Sequence, residues 1–172
     1  MVSEFNESGI PLAYFISFRC YGTWLHGDER YSVDRYNNQY KSPMIAPNAD
    51  RKNAMQFQTK RDPVELDMAR RFAVETGVLE TCKIRGWYLY CINVRTNHVH
   101  TVVAALKKPE LVMNAFKANA TRQMIEFDIW QRGLKPWSRH GSTRYLWTEK
   151  SLASAIDYAI NGQGDDLPSF DD

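Results

Sequence analysis

The apolar positions of this chain come in two rhythms, one of period two and one of about 3.6. The run "LAYFISFRCYG" at 12–22 is rich in aromatic and β-branched residues and closes on a glycine, which predicts a first strand. From 65 to 85, Leu66, Ala69, Ala73, Leu79 and Cys82 recur at helical spacing, and Gly86 stands where that helix would end. "WYLYCINV" at 87–94 and "VHTVVAAL" at 99–106 are β-rich runs joined by Arg95, Thr96, Asn97 and His98, which predicts a hairpin. After Pro109, the residues Val112, Phe116, Ala120, Met124 and Phe127 fall about one helical turn apart, so 109–127 is a second helix. "TRYLWT" at 143–148 reads as a short strand. "SLASAIDYAI" at 151–160 reads as a third helix, with Ser151 placed to cap it and Gly162 to stop it.

The resulting order, β-α-β-β-α-β-α, is an α+β ferredoxin-like βαββαβ sandwich with an additional C-terminal helix that carries Tyr158. At 172 residues the chain suits a single domain. Residues 26–63 are polar, hold three of the seven prolines and show no sustained period, so they read as an irregular insertion into that domain. Residues 165–172 form an acidic tail.

Composition adds one asymmetry. The net charge of +2 announces no nucleic-acid binder, yet 107–150 holds nine bases against four acids, while 157–172 holds five acids and no base. The acidic end conceals the basic segment in the total. A basic face of this kind serves phosphates or is plain solvated surface, and charge alone does not choose. Three cysteines without a C-x-x-C spacing fit free thiols in a reducing cytosol. No window approaches the ~18 consecutive apolar residues of a membrane span, and the first ten residues lack the pattern of a signal peptide. A cytoplasmic protein without a membrane partner is expected.

Candidate chemistry begins at "NVRTNHVHTVV", 93–103. Side chains alternate across a strand, so His98 and His100 share a face with their rings roughly 6 to 7 Å apart. That spacing suits two ligands of one metal ion, although taken alone it fits two half-buried imidazoles with local partners better. On the last helix, Leu152, Ala155, Ile156 and Ala159 form the apolar face, which leaves Tyr158 at its edge, facing a groove or bordering the core. Asn161 and Gln163 follow closely and carry amide oxygens.

"NHVHTVV" together with "SLASAIDYAINGQGDD" resembles the His-hydrophobic-His signature and the tyrosine-bearing helix of single-tyrosine HUH transposases, among them insertion-sequence transposases and REP-associated tyrosine transposases. "FKANATRQM" and "WSRHGSTRYLW" are similar to that family's second helix and fourth strand, and the likeness runs from about residue 12 to residue 166. The resemblance implies a single-stranded DNA endonuclease and strand transferase. In that scheme His98 and His100 hold a divalent ion, Mg²⁺ or Mn²⁺, and Tyr158 attacks phosphorus to give a 5′-phosphotyrosine and a free 3′-hydroxyl. The chemistry is coherent, because a phenol of pKa ~10 is a weak nucleophile near neutrality and a metal that withdraws phosphodiester charge makes its attack feasible. Two imidazoles favour Mn²⁺ over Mg²⁺, which prefers oxygen shells.

One position departs from the family pattern. Insertion-sequence members place a glutamine four residues after the tyrosine, where this chain has Gly162. Gln163 serves as third metal ligand if the helix loosens at Gly162, and Asn161 is the alternative. Single-stranded or hairpin DNA is the implied partner, with Lys117, Arg122, Arg139, His140 and Arg144 as candidate DNA contacts and Trp137 and Trp147 as stacking planes. A homodimer is a further implied possibility. Two other classes compete: a domesticated hairpin-DNA-binding protein without mobilising activity, and a zinc-dependent hydrolase using His98 and His100 with His26 or His140. His26 and Asp28 otherwise read as loop-fixing residues.

Overall fold

Each strand of the protein carries one side of apolar residues and one side that is mixed, and this asymmetry organises the fold. The computed structural model describes residues 9–23, 50 and 61–163. In chain order these form β1 (Ala13–Cys20), α1 (Met68–Arg85), β2 (Tyr88–Val94), β3 (His98–Ala104), α2 (Pro109–Glu126), β4 (Trp137–Leu146) and α3 (Glu149–Asn161). The strands make one sheet in the order β2-β3-β1-β4, and every neighbouring pair is antiparallel. That order, with α1 and α2 as the two connections, is the ferredoxin-like α+β arrangement, and α3 is the added C-terminal helix.

On one face of the sheet Ile16, Phe18, Val99 and Val103 pack against Val74 and Val78 of α1 and Val112, Phe116 and Met124 of α2, all fully buried. The two helices touch closely at Gly77, where a Cβ would lie 2.8 Å from the Ala120 backbone, so a larger residue would force them apart. The other face carries a smaller cluster, Ala13, Val102 and Leu146 against Ala155 and Ala159 of α3.

Local chemistry sets the ends of the helices. α1 starts at Met68, three residues inside the predicted start, where Asp67 caps it by accepting from the Arg70 N–H at 2.8 Å, and Gly86 closes it in the left-handed conformation at φ 68°. α3 begins two residues before its predicted start: Thr148 is the cap and Ser151 is its reciprocal partner in a capping box. Thr148 therefore corrects the assignment of Ser151. β4 corrects a strand predicted only from 143: it starts at Trp137, because the polar run Ser138-Arg139-His140-Gly141-Ser142 is an edge strand with an irregular register opposite Phe18 and Cys20. His98, read as a turn residue, opens β3.

Residues 24–49, 51–60 and 164–172 lie outside the described residues, and with them most of the expected insertion, the acidic tail, His26 and Asp28. Cys20, Cys82 and Cys91 are free thiols. Among the described residues no helix is long and apolar enough to cross a membrane.

Candidate active site

The mixed face of the sheet is where the predicted chemistry collects. Strand alternation sends Val99, Thr101 and Val103 into the helix layer and leaves His98, His100 and Val102 on the face beneath α3. The pairing of β3 with β1 sets Arg19 opposite His98, Ser17 opposite His100 and Phe15 opposite Val102. The two imidazole rings lie 4.7 Å apart, centre to centre, at 72°.

Both rings are held on their Nδ1 side. His98 Nδ1 is 2.6 Å from Asn97 Oδ1, and His100 Nδ1 is 2.5 Å from Ser17 Oγ. Their Nε2 atoms meet a third group: Gln163 Oε1 is 3.1 Å from His98 Nε2 and 2.8 Å from His100 Nε2. Gln163 Nε2 donates to the Tyr158 carbonyl at 3.0 Å, which fixes which end of the amide faces the histidines.

The chain brings Gln163 there by ending α3 at Asn161. Gly162 donates its N–H to the Tyr158 carbonyl at 3.0 Å, with φ at −88°, so the turn makes no use of a left-handed glycine conformation. What position 162 requires is the missing Cβ, which would stand 2.7 Å from Tyr158 Cδ2 and 2.8 Å from the Tyr158 carbonyl. Two hairpin residues secure this end of the helix: Asn93 Nδ2 donates to the Ala159 carbonyl at 2.8 Å and Arg95 to the Gln163 carbonyl at 3.3 Å. Asn161, the alternative ligand, turns away and donates to Asp157 Oδ1 at 2.8 Å.

Tyr158 stands beside the cluster. Its ring is edge-on to Phe15 and steeply inclined to His100, 5.9 Å from each, while half of the residue is exposed at 51%. His100 is buried, and burial pushes its pKa down to about 4; the positive charges of His98, Arg19 and Arg95 act in the same direction, against the hydrogen bond to Gln163. The ring is therefore neutral near pH 7, as a metal ligand must be.

His98, His100 and Gln163 are thus the groups able to share one cation, two nitrogens and one oxygen. Among the described residues no set of three His, Cys, Asp or Glu side chains comes together, so His140 does not complete a zinc site with the pair.

The predicted DNA contacts divide. Lys117 is corrected: it is buried, its Nζ donates to the Ser138 and His140 carbonyls at 2.9 Å each, and burial lowers its pKa to about 8. Arg122 is also corrected, because it lies on the helix layer and is taken up by Glu80 and Glu126. Trp137 is no stacking plane either: it is buried and its indole N–H bonds to the Lys117 carbonyl and Thr121. Arg139 and His140 are exposed on β4, and Arg144 pairs across from Phe15 on the face that carries the histidines. Trp147 is exposed and stacked on Tyr145.

Sequence reasoning missed Ser17, Arg19, Asn93, Arg95 and Asn97. The signal for the first two was present: in "ISFRC" the polar Ser17 and Arg19 alternate with Ile16, Phe18 and Cys20, which marks them as the opposite face of β1.

No family model matches the chain, and no curated protein matches it. Among solved structures the chain is similar to the crystal structure of a candidate transposase from Deinococcus radiodurans R1, at 12% identity and a TM-score of 0.46, covering 93% of this chain and 97% of that one. A likeness of that degree concerns the course of the chain and carries nothing about the site. The fold class stands on the strand order itself: this is a ferredoxin-like α+β protein.

Proposed function

We propose that the protein is a single-stranded DNA endonuclease and strand transferase of the single-tyrosine HUH transposase kind, with Tyr158 as nucleophile and His98, His100 and Gln163 as metal ligands. The observation that carries the reading is the meeting of four side chains: β3 supplies both imidazoles, the turn after α3 supplies the amide, and α3 sets the Tyr158 ring 5.9 Å from that of His100. A tyrosine merely closing a core would not need three ligand atoms gathered beside it.

The residues fit Mg²⁺ or Mn²⁺, with Mn²⁺ favoured by the two nitrogens. Such an ion, when bound, would withdraw charge from the scissile phosphodiester. The chain's own part is positional. The half-exposed Tyr158 is reachable by a strand, and its phenolic oxygen bonds to phosphorus as the P–O3′ bond breaks. The departing 3′-oxygen gains one proton and the phenol loses one, so the products are a 5′-phosphotyrosine and a 3′-hydroxyl. Attack by another 3′-hydroxyl reverses the step and joins strands without a further energy source. Arg19, Arg95 and Arg144 give this face the positive charge that a phosphate backbone requires, and single-stranded or hairpin DNA is the partner it suits.

The test is a denaturing gel of protein incubated with Mn²⁺ or Mg²⁺ and labelled single-stranded or hairpin DNA. A DNA-linked protein band is expected, and Tyr158→Phe should reduce it to background. Metal-dependent cleavage that survives Tyr158→Phe would overturn the tyrosine mechanism in favour of a water nucleophile. Hairpin binding without cleavage in either metal would leave a binding protein.

A further inference from the structure

We propose that Asn97 and Ser17 are positioning residues that turn the Nδ1 side of each imidazole away from Gln163, so that both Nε2 atoms and Gln163 Oε1 are presented to one cation. The inference rests on the proposed metal-and-tyrosine function and concerns how this chain prepares the site.

A neutral imidazole has one donor and one acceptor, and the partner of one nitrogen decides what the other can do. Asn97 Oδ1 is an acceptor only. At 2.6 Å it takes the hydrogen of His98 Nδ1, which leaves Nε2 with its lone pair. That lone pair faces Gln163 Oε1 at 3.1 Å, and Oε1 is itself an acceptor because the amide nitrogen is committed to the Tyr158 carbonyl. Two acceptors at that distance repel each other unless a cation lies between them. Asn97 is in turn fixed to the neighbouring strand β1, since its backbone carbonyl accepts from the Cys20 N–H at 2.9 Å.

Ser17 differs in a useful way. It is the residue directly across β1 from His100, so strand register alone delivers its hydroxyl to Nδ1 at 2.5 Å. A hydroxyl can donate or accept by rotation. Without metal it donates to Nδ1, and His100 gives its Nε2–H to Gln163 Oε1 at 2.8 Å. With metal it accepts Nδ1–H, and Nε2 is released as a ligand with no movement of heavy atoms. One fixed imidazole and one switchable imidazole thus let the site exist in the absence of metal without three clashing acceptors.

The test reads tautomers and metal affinity, not turnover. In nitrogen-15 spectra of the metal-free protein at about pH 8, where a free imidazole is neutral, His98 is expected to carry its hydrogen on Nδ1 and His100 on Nε2. Adding Mg²⁺ should move the His100 hydrogen to Nδ1. Asn97→Ala and Ser17→Ala should each weaken Mn²⁺ binding by roughly 10- to 100-fold, whereas Asn97→Asp and Ser17→Thr, which keep the acceptor or the hydroxyl, should restore it. A metal-free His98 with its hydrogen on Nε2, or Mn²⁺ affinity within about twofold of wild type in both alanine variants, overturns the proposal. Wild-type protein that binds no Mn²⁺ would overturn the metal reading of the site, while the His98 tautomer, measured without metal, still decides the role of Asn97.

Discussion

The two faces of the sheet are built from the same four strands and to different ends. Beneath α1 and α2 lie Phe18, Phe116, Met124, Ile16 and a set of valines, fully buried. Beneath α3 the buried apolar residues are mostly small, Ala13, Ala155 and Ala159 with Val102 and Leu146, and beside them stand two imidazoles, a serine hydroxyl, an amide and a half-exposed tyrosine. Alternation along β1 and β3 separates the two chemistries by a single residue step. The lesson is a division of labour: the larger apolar core lies on one face, which leaves the other free to hold polar groups.

The largest effect that would test this division is the loss of Phe116. Its side chain is fully buried among both helices and the sheet, so Phe116→Ala should cost about 3–5 kcal/mol in urea unfolding through lost contacts and the cavity left behind. In protein that remains folded, Mn²⁺ affinity should stay within about twofold. A tenfold loss of affinity in folded Phe116→Ala would show the faces to be coupled.

A smaller effect separates the faces by pH. Burial chiefly holds the His100 pKa at about 4, below its unfolded value of 6.5. The unfolded chain therefore binds more protons between these values, so the contribution of His100 is complete above pH 6.5 and lost as the pH falls through the folded pKa. The shift corresponds to roughly 3 kcal/mol. Urea titrations of metal-free wild type and His100→Gln should converge or cross by about that amount between neutral pH and pH 4. Parallel curves across this window would mean that His100 is solvated, and that this face is less closed than its burial indicates.

How far the sequence discloses these two faces depends on distance along the chain. Element order, the hairpin and the histidine pair are local patterns, and each is legible: period two places His98 and His100 on one side before any tertiary contact is considered. The register of β1 against β3 is not local, and that register alone makes Ser17 the partner of His100. Gln163 was legible only as a possibility, because its reach depends on how α3 ends. Gly162 brings Gln163 to the two imidazoles for a reason other than the expected one: space beside the Tyr158 ring, not backbone freedom, is what that position supplies. The basic segment misled most. Counting charges along the chain cannot tell a lysine buried against β4 carbonyls, as Lys117 is, from one presented to a phosphate.

Arg122 gives the smallest effect and the sharpest contrast. By charge it belongs with the candidate DNA contacts, yet its guanidinium is shared between Glu80 of α1 and Glu126 of its own helix, on the layer opposite the histidines. These are partly exposed pairs, and such pairs contribute about 0–1 kcal/mol each. Arg122→Ala should therefore lower stability by no more than about 1 kcal/mol and leave affinity for single-stranded DNA unchanged. Arg95→Ala changes a charge on the other face, one that bonds the Gln163 carbonyl and acts on His100. Removing one phosphate-neutralising charge from a single-strand site should weaken binding roughly fivefold at about 0.1 M salt and make it less salt-dependent. Fluorescence titrations of both variants against one labelled oligonucleotide, at two salt concentrations, separate these outcomes. If Arg122→Ala weakens binding as much as Arg95→Ala does, DNA reaches the helix layer, and the separation of a folding face from a working face does not hold.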